Sequence, residues 1–214
     1  MPGHYKLWKL GFEHGDPSIS NLMIDSTGRG VLNDWDLSHR AGEPHCGGER
    51  TGTATFMALE LLCCEYRDGR MERQYHHDLE GFIWILPWVF LQFQDSVRIN
   101  RQLADWEIGD FEKCHQQKSS LLGGGMTSSM YPPTKSWRSE WKGFAVHLLV
   151  WLVEGNIQRY LQQQTAALAP ADVFKKFYEK LHRLSQSTYP AFHDIIREMG
   201  VAPPPSSVTP MPST

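Results

Sequence analysis

The sequence has little cysteine. Its four cysteines in 214 residues (Cys46, Cys63, Cys64 and Cys114) show no C-x-x-C spacing, so neither a disulfide framework nor a zinc ribbon is indicated. His45-Cys46 and Cys114-His115 do not add up to a metal-ligand pattern. The thiols are expected to be reduced, as in a cytoplasmic or nuclear protein. Charge of one sign is lacking too: 21 Lys+Arg against 24 Asp+Glu leave a net −3. That gives no argument for nucleic acid or an anionic membrane as a partner. Long apolar runs are absent. Residues 82–93 and 144–153 are apolar but too short to span a bilayer, and the N-terminus has no apolar segment of a signal peptide. No internal repeat is visible. The expectation is a soluble intracellular protein.

What is present is a globular composition. With 41% hydrophobic residues and eight Trp, the chain is long enough for one domain with a real core. Its informative stretch is residues 14–60. That stretch opens with His14-Gly15-Asp16-Pro17-Ser18-Ile19-Ser20-Asn21, an H-x-D-x-x-x-x-N pattern. The strand-like Leu22-Met23-Ile24 and Val31-Leu32 then flank the turn residues Gly28-Arg29-Gly30 and read as a hairpin. Asn33-Asp34-Trp35-Asp36 follow, and Thr51-Gly52-Thr53-Ala54-Thr55-Phe56-Met57-Ala58-Leu59-Glu60 close the stretch.

These residue types suit phosphoryl transfer, which needs an in-line nucleophile, held phosphates and neutralised charge. A carboxylate at Asp16 can orient an acceptor hydroxyl and take its proton. Asn21 offers a neutral amide oxygen, and Asp34 a carboxylate, to a hard cation such as Mg²⁺, which prefers oxygen ligands. The hairpin is expected to bring both to strand ends facing one point.

His14 to Asn21, Asp34-Trp35-Asp36, Arg50 to Thr53 with Phe56-Met57-Ala58-Leu59-Glu60, and His77-Asp78-Leu79-Glu80 together resemble the fungal-type protein kinase domain. The resemblance implies a mainly α kinase C-terminal lobe, in which a helical body carries a small β-hairpin with the catalytic and Mg²⁺ loops. It implies ATP-dependent phosphorylation of protein Ser or Thr, with ATP and Mg²⁺ as cofactors and a protein substrate as partner. Asp16 would be the catalytic base, sharing its loop with His14 and Asn21. Asn21 and Asp34 would bind Mg²⁺ and, through it, the nucleotide. Thr53 would steady the catalytic loop, Glu60 would be the structural acid of the Ala-Pro-Glu motif, and Asp78 would brace the loop backbone from a central helix. On this reading residues 1–200 form the domain: catalytic loop 14–21, Mg²⁺ loop 34–36, activation segment 37–60, central helix 78–93 and a mobile insertion 119–136. Residues 201–214, with five Pro, are read as a disordered tail.

The sequence also departs from the family pattern. Gly15 stands where protein kinases usually carry the Arg that pairs with a phosphorylated activation segment, so phosphate on Thr51, Thr53 or Thr55 has no expected bidentate partner. Leu59 replaces Pro, Asp36 replaces Gly, and Ser18 replaces a phosphate-contacting Lys. Before His14 there is only a short amphipathic helix, residues 4–12. Gly123-Gly124-Gly125 is not followed by a strand Lys and reads as a flexible loop. The expectation is therefore the C-terminal lobe alone, truncated or weakly active, with an apolar interlobe face left for a partner or a missing N-lobe.

Two alternatives stand beside this reading. Small-molecule phosphotransferases of the aminoglycoside- or choline-kinase type share His-Gly-Asp and Asp-Trp-Asp but do not usually carry the Met-Ala-x-Glu and His-Asp-Leu-Glu segments. An inactive lobe serving as a binding module is the other. Further along, residues 79–93 read as a buried helix kinked at Pro87, and residues 94–118 as a short helix and loop. Residues 137–161, 170–184 and 190–199 also read as helices. His76-His77 lack a third ligand nearby in sequence and are not read as a metal site.

Overall fold

Residues 2–36, 38–40 and 52–167 are described by a computed structural model. Helix α1 (Pro2–Lys9) starts with Pro in its first turn, where a missing N–H costs nothing, and turns His4, Tyr5 and Trp8 toward Tyr75. Gly11, at φ +86, ends the element in the left-handed region. Four short strands follow: β1 (Phe12–Glu13), β2 (Leu22–Ile24), β3 (Gly30–Leu32) and β4 (His39–Arg40). They pair antiparallel as β1 with β4 and β2 with β3, the latter in the register Leu22↔Leu32, Met23↔Val31, Ile24↔Gly30. Asp25 closes the β2–β3 turn: its Oδ1 accepts the N–H of Thr27 at 2.8 Å and of Arg29 at 3.0 Å, an Asx-type turn.

Residues 52–167 are mainly helical. Two 3₁₀ turns (Ala54–Phe56 and Glu60–Leu62) and the short α2 (Cys64–Arg67) lead to α3 (Tyr75–Phe90). Helix α3 starts three residues earlier than the expected 78, because Gln74 and His77 form a reciprocal capping box, with imidazole in the place usually taken by Glu or Gln. It is apolar nearly all round and buried nearly all round, as a helix packed on every side requires. Pro87 sits inside it, and the helix carries on, with Leu91 N–H donating to the Pro87 carbonyl at 3.0 Å.

The hairpin β5 (Phe93–Gln94) and β6 (Val97–Arg98) turns through Asp95 and Ser96, both at positive φ, the backbone a two-residue hairpin needs. Helix α4 (Phe111–Leu122) is capped by Asp110, whose carboxylate accepts the Lys113 N–H at 3.0 Å. Then come α5 (Arg138–Glu140), a five-residue π segment (Trp141–Ala145) and α6 (Val146–Ala167). The core gathers Leu61, Leu79, Trp84, Leu91, Trp106, Leu121 and Leu149 between α3, α4 and α6. Among the described residues the fold is mainly α with three two-stranded sheets, the architecture the resemblance implied.

Several local readings change. Residues 94–118 form a hairpin and most of α4 rather than one short helix and a loop. Within residues 119–136, expected as a mobile insertion, Leu121 and Met126 are buried and Trp141 Nε1 donates to the Met126 carbonyl at 3.2 Å, while residues 127–130 are exposed. The expected helices at 170–184 and 190–199, the tail, Thr51 and His45-Cys46 lie outside the described residues. No described helix is long and apolar enough to cross a membrane.

Candidate active site

The catalytic-loop residues are assembled by hydrogen bonds among themselves. Asp16 N–H donates to His14 Nδ1 at 3.2 Å, which leaves the ring proton on Nε2; that nitrogen donates to the Asn33 carbonyl at 2.7 Å. His14 is fully buried and meets Trp35 edge to face at 4.7 Å. Trp35 in turn donates from Nε1 to the Leu32 carbonyl at 2.9 Å. One imidazole and one indole thus fasten the Asp34 loop to the Asp16 loop. The Asn33 N–H to Asn21 carbonyl bond, 2.8 Å, extends the β2–β3 pairing by one step and sets Asn21 beside Asp34's neighbour.

Gly15 is buried at φ +87. Any side chain there, including the Arg of the family pattern, would strain the backbone. The departure at this position is therefore a different loop conformation as well as a lost guanidinium.

Asp16 is tied from two sides. Thr53 N–H donates to Oδ1 at 2.8 Å and Thr53 Oγ1 to Oδ2 at 3.2 Å, while Asn21 Nδ2 donates to Oδ2 at 3.2 Å and to the Asp16 carbonyl at 3.0 Å. A carboxylate has about four acceptor sites. The side-chain contacts take three, so one on Oδ1 is left for an acceptor hydroxyl. Asn21, with its amide N turned to Asp16, has its Oδ1 directed elsewhere. Asp34 is exposed, makes no hydrogen bond or ion pair among the described residues, and holds φ +61, a left-handed backbone that non-glycine residues seldom adopt. An amide oxygen and a carboxylate at adjoining strand ends are hard oxygen donors, a set that fits Mg²⁺.

Asp78 departs from its expected role. Its carboxylate is buried and bonded to side chains, to His4 Nε2 at 2.9 Å and to Arg73 Nε at 3.0 Å, with no bond to the catalytic-loop backbone. Burial alone would raise its pKa. The Arg73 charge and the His4 bond prevail and hold it well below the usual carboxylate range. Glu13, whose pKa is raised to about 7 by burial and then by the Asp78 charge, lies next to this group. The loop is braced by packing instead. At Gly81, one turn along α3, an added Cβ would lie 2.5 Å from Pro17 Cγ and 3.0 Å from the Phe56 carbonyl, so the central helix touches both the catalytic loop and the turn after Thr53.

Glu60 gathers a cluster that adjacent sequence did not reveal. Its Oε2 receives His77 Nε2 at 2.8 Å and His76 Nε2 at 3.2 Å, and its Oε1 receives Arg159 Nε at 3.1 Å. Burial raises the Glu60 pKa, but the two imidazole bonds outweigh it and keep the carboxylate charged. Burial also pushes His76 down to about 3. The fold thus gives the two histidines a third ligand-bearing neighbour, yet the hydrogen bonding does not suit a metal. Gln74 N–H donates to His77 Nδ1 at 2.9 Å, so Nε2 carries the proton, whereas a ligating imidazole donates from its other nitrogen. The cluster is an ion-pair and hydrogen-bond clasp between the 3₁₀ turn at 60, α3 and α6.

Residues 1–90 match the sequence model of the family described as fungal protein kinase. This stretch belongs to that family. It takes in every candidate site residue from His14 to Asp78, and ends with α3. No curated protein and no solved structure matches the chain. The residues around the site that sequence reasoning missed are His4, Arg73 and, beyond the matched stretch, Arg159. No local motif marked them, since each acts through a partner more than 50 positions away or across a helix start.

Proposed function

We propose that this kinase domain carries the catalytic and Mg²⁺-binding half of an ATP-dependent protein kinase acting on Ser or Thr. The observation that carries the reading is the Asp16 carboxylate, aimed by Thr53 and Asn21, together with the exposed Asp34, which has no hydrogen bond or ion pair among the described residues and follows the strand end bonded to Asn21. Asp16 orients the acceptor hydroxyl and takes its proton as the new O–P bond forms and the bond to the departing diphosphate breaks. Asn21 and Asp34 would hold Mg²⁺, which supplies neutralisation of the phosphate charge. Thr53 and Asn21 keep the carboxylate in one rotamer, the positioning on which this chemistry depends.

The test is calorimetric titration of the 214-residue chain with Mg²⁺ and ATP, beside Asp34→Asn. Binding on the order of micromolar that Asp34→Asn abolishes is the expected result. Silence from both proteins would overturn the reading of this chain as a nucleotide-binding kinase. The second reading, a lobe that binds a partner, is favoured by the exposed Met23, Ile24 and Val31 on the β2–β3 hairpin and would then stand alone.

A further inference from the structure

We propose that Lys118 is a positioning residue for this site: from α4, its ammonium clamps the turn that delivers Thr53 to Asp16. The inference rests on the kinase reading for its catalytic meaning, but the clamp itself does not depend on that reading.

Lys118 is wholly buried. Its Nζ donates to the Met57 carbonyl at 2.7 Å and to the Ala54 carbonyl at 3.2 Å, the two carbonyls that bracket the 3₁₀ turn Ala54–Phe56. The indoles of Trp84 and Trp106 lie 5.0 and 5.2 Å from the ammonium, close enough for cation–π attraction. Cys114 Sγ donates to the same Ala54 carbonyl at 3.4 Å, and Thr55 Oγ1 donates to the Trp106 carbonyl at 3.0 Å. At the far end, the buried Glu80 accepts the Leu59 N–H at 2.7 Å. The segment that begins with Thr53 is thus held from beneath by α4 and α3, while its exposed end bonds Asp16 through both N–H and Oγ1. Phe56 and Met57 N–H donate back to the Thr53 carbonyl at 2.8 and 3.1 Å, so a shift of the turn carries Thr53 with it.

Packing does not ask for a lysine here. An unbranched apolar side chain would fill the space without taking a charge out of water. What the ammonium adds is direction: it draws two carbonyls to one point, and methionine would take from the Met57 carbonyl its Lys118 donor and leave the Ala54 carbonyl only Cys114 Sγ and the Met57 N–H. The groups facing it are Cys114, His115 and Glu80. Burial lowers its pKa to about 8, against the opposing pull of Cys114 and Glu80. The clamp is therefore charged at neutral pH and loses its charge assistance as pH rises through about 8.

The test follows backbone hydrogen exchange in the 214-residue chain and in Lys118→Met and Lys118→Arg. We expect Lys118→Met to speed exchange at residues 53–57 by about 10-fold or more relative to residues 79–85 of α3, and Lys118→Arg to restore most of the protection. Faster exchange in both regions together would mean a general packing role and would overturn the proposal, as would no change in either. In phosphoryl transfer, Lys118→Met should lower kcat by on the order of 100-fold while leaving the KM for ATP within about threefold, because Asn21 and Asp34 do not touch the turn. A chain that transfers no phosphate but shows the local exchange change would sink the kinase reading and leave the clamp standing. Should Lys118→Met fail to fold, the native chain decides: protection at 53–57, corrected for intrinsic rate, must fall between about pH 7 and 9 while 79–85 stays protected.

Discussion

The β2–β3 hairpin and helix α3 divide the labour of this site. The hairpin is three residues to a strand, exposes Met23 and Ile24, and has no core of its own. Helix α3 exposes almost nothing and makes no contact that chemistry would use. Yet the candidate ligands sit at the ends of the thin element, and the thick one presses on the loop that leads into it, through Gly81 against Pro17 and Phe56. A site of this kind can be lost without touching it. Conversely, its most visible surface can be changed at little cost to folding.

The largest effect should come from Asp78→Ala. It leaves the buried Arg73 guanidinium without its carboxylate partner, which costs about 3–5 kcal/mol, read as a drop in the denaturant midpoint. The same pair sets a pH dependence. The Asp78 carboxyl is held low in the folded protein, so its contribution is complete above the unfolded value of about 4 and fades as pH falls below it. A native chain whose stability is flat from pH 6 to pH 2 would show that the pair does not matter.

Gly81→Ala comes next, at about 1–3 kcal/mol, because the new methyl meets a proline ring and a backbone carbonyl that cannot both retreat. Retention of full stability would mean that α3 does not press on the catalytic loop.

Glu13→Gln is smaller and opposite in sign. The Glu13 pKa is raised from 4.5 to about 7, so its contribution is present below about 4.5 and lost as pH rises through 7. At pH 8 the amide variant should be the more stable by about 1–2 kcal/mol, after allowing for solvent screening, and at pH 4 the two should coincide. Equal stability at pH 8 would refute the buried placement. Smallest is Ile24→Thr on the exposed hairpin, within about 0.5 kcal/mol; a loss several times larger would show that this apolar face is already covered in solution.

How legible all this was depends on how local each cause is. The hairpin that joins Asn21 to Asn33 and Asp34 was legible because its strands and turn are contiguous, so residue type and spacing set the pairing directly. The apolar run of α3 was likewise self-announcing. Its start was not, since His77 caps it in a role that sequence patterns assign to Glu or Gln. Asp78 was readable as a buried acid near a helix start but not as the partner of His4 and Arg73. The 119–136 stretch reads as loose because Gly, Ser and Pro dominate it, and its contacts to the core come from Trp141 on Met126 and Tyr131 on Gly125, which no local pattern marks.

By itself the sequence determined the order of motifs, the kinase-like class and the mainly helical body. These follow from residue type and from neighbours within a few positions. Only the tertiary structure decided that Thr53 reaches Asp16 across 37 positions, that Arg159 closes on Glu60 across 99, and that a buried lysine on α4 grips the turn between them. The physical reason is that such contacts depend on where whole elements pack, and burial, the cost of an unpaired charge and the space left by one glycine are properties of that packing.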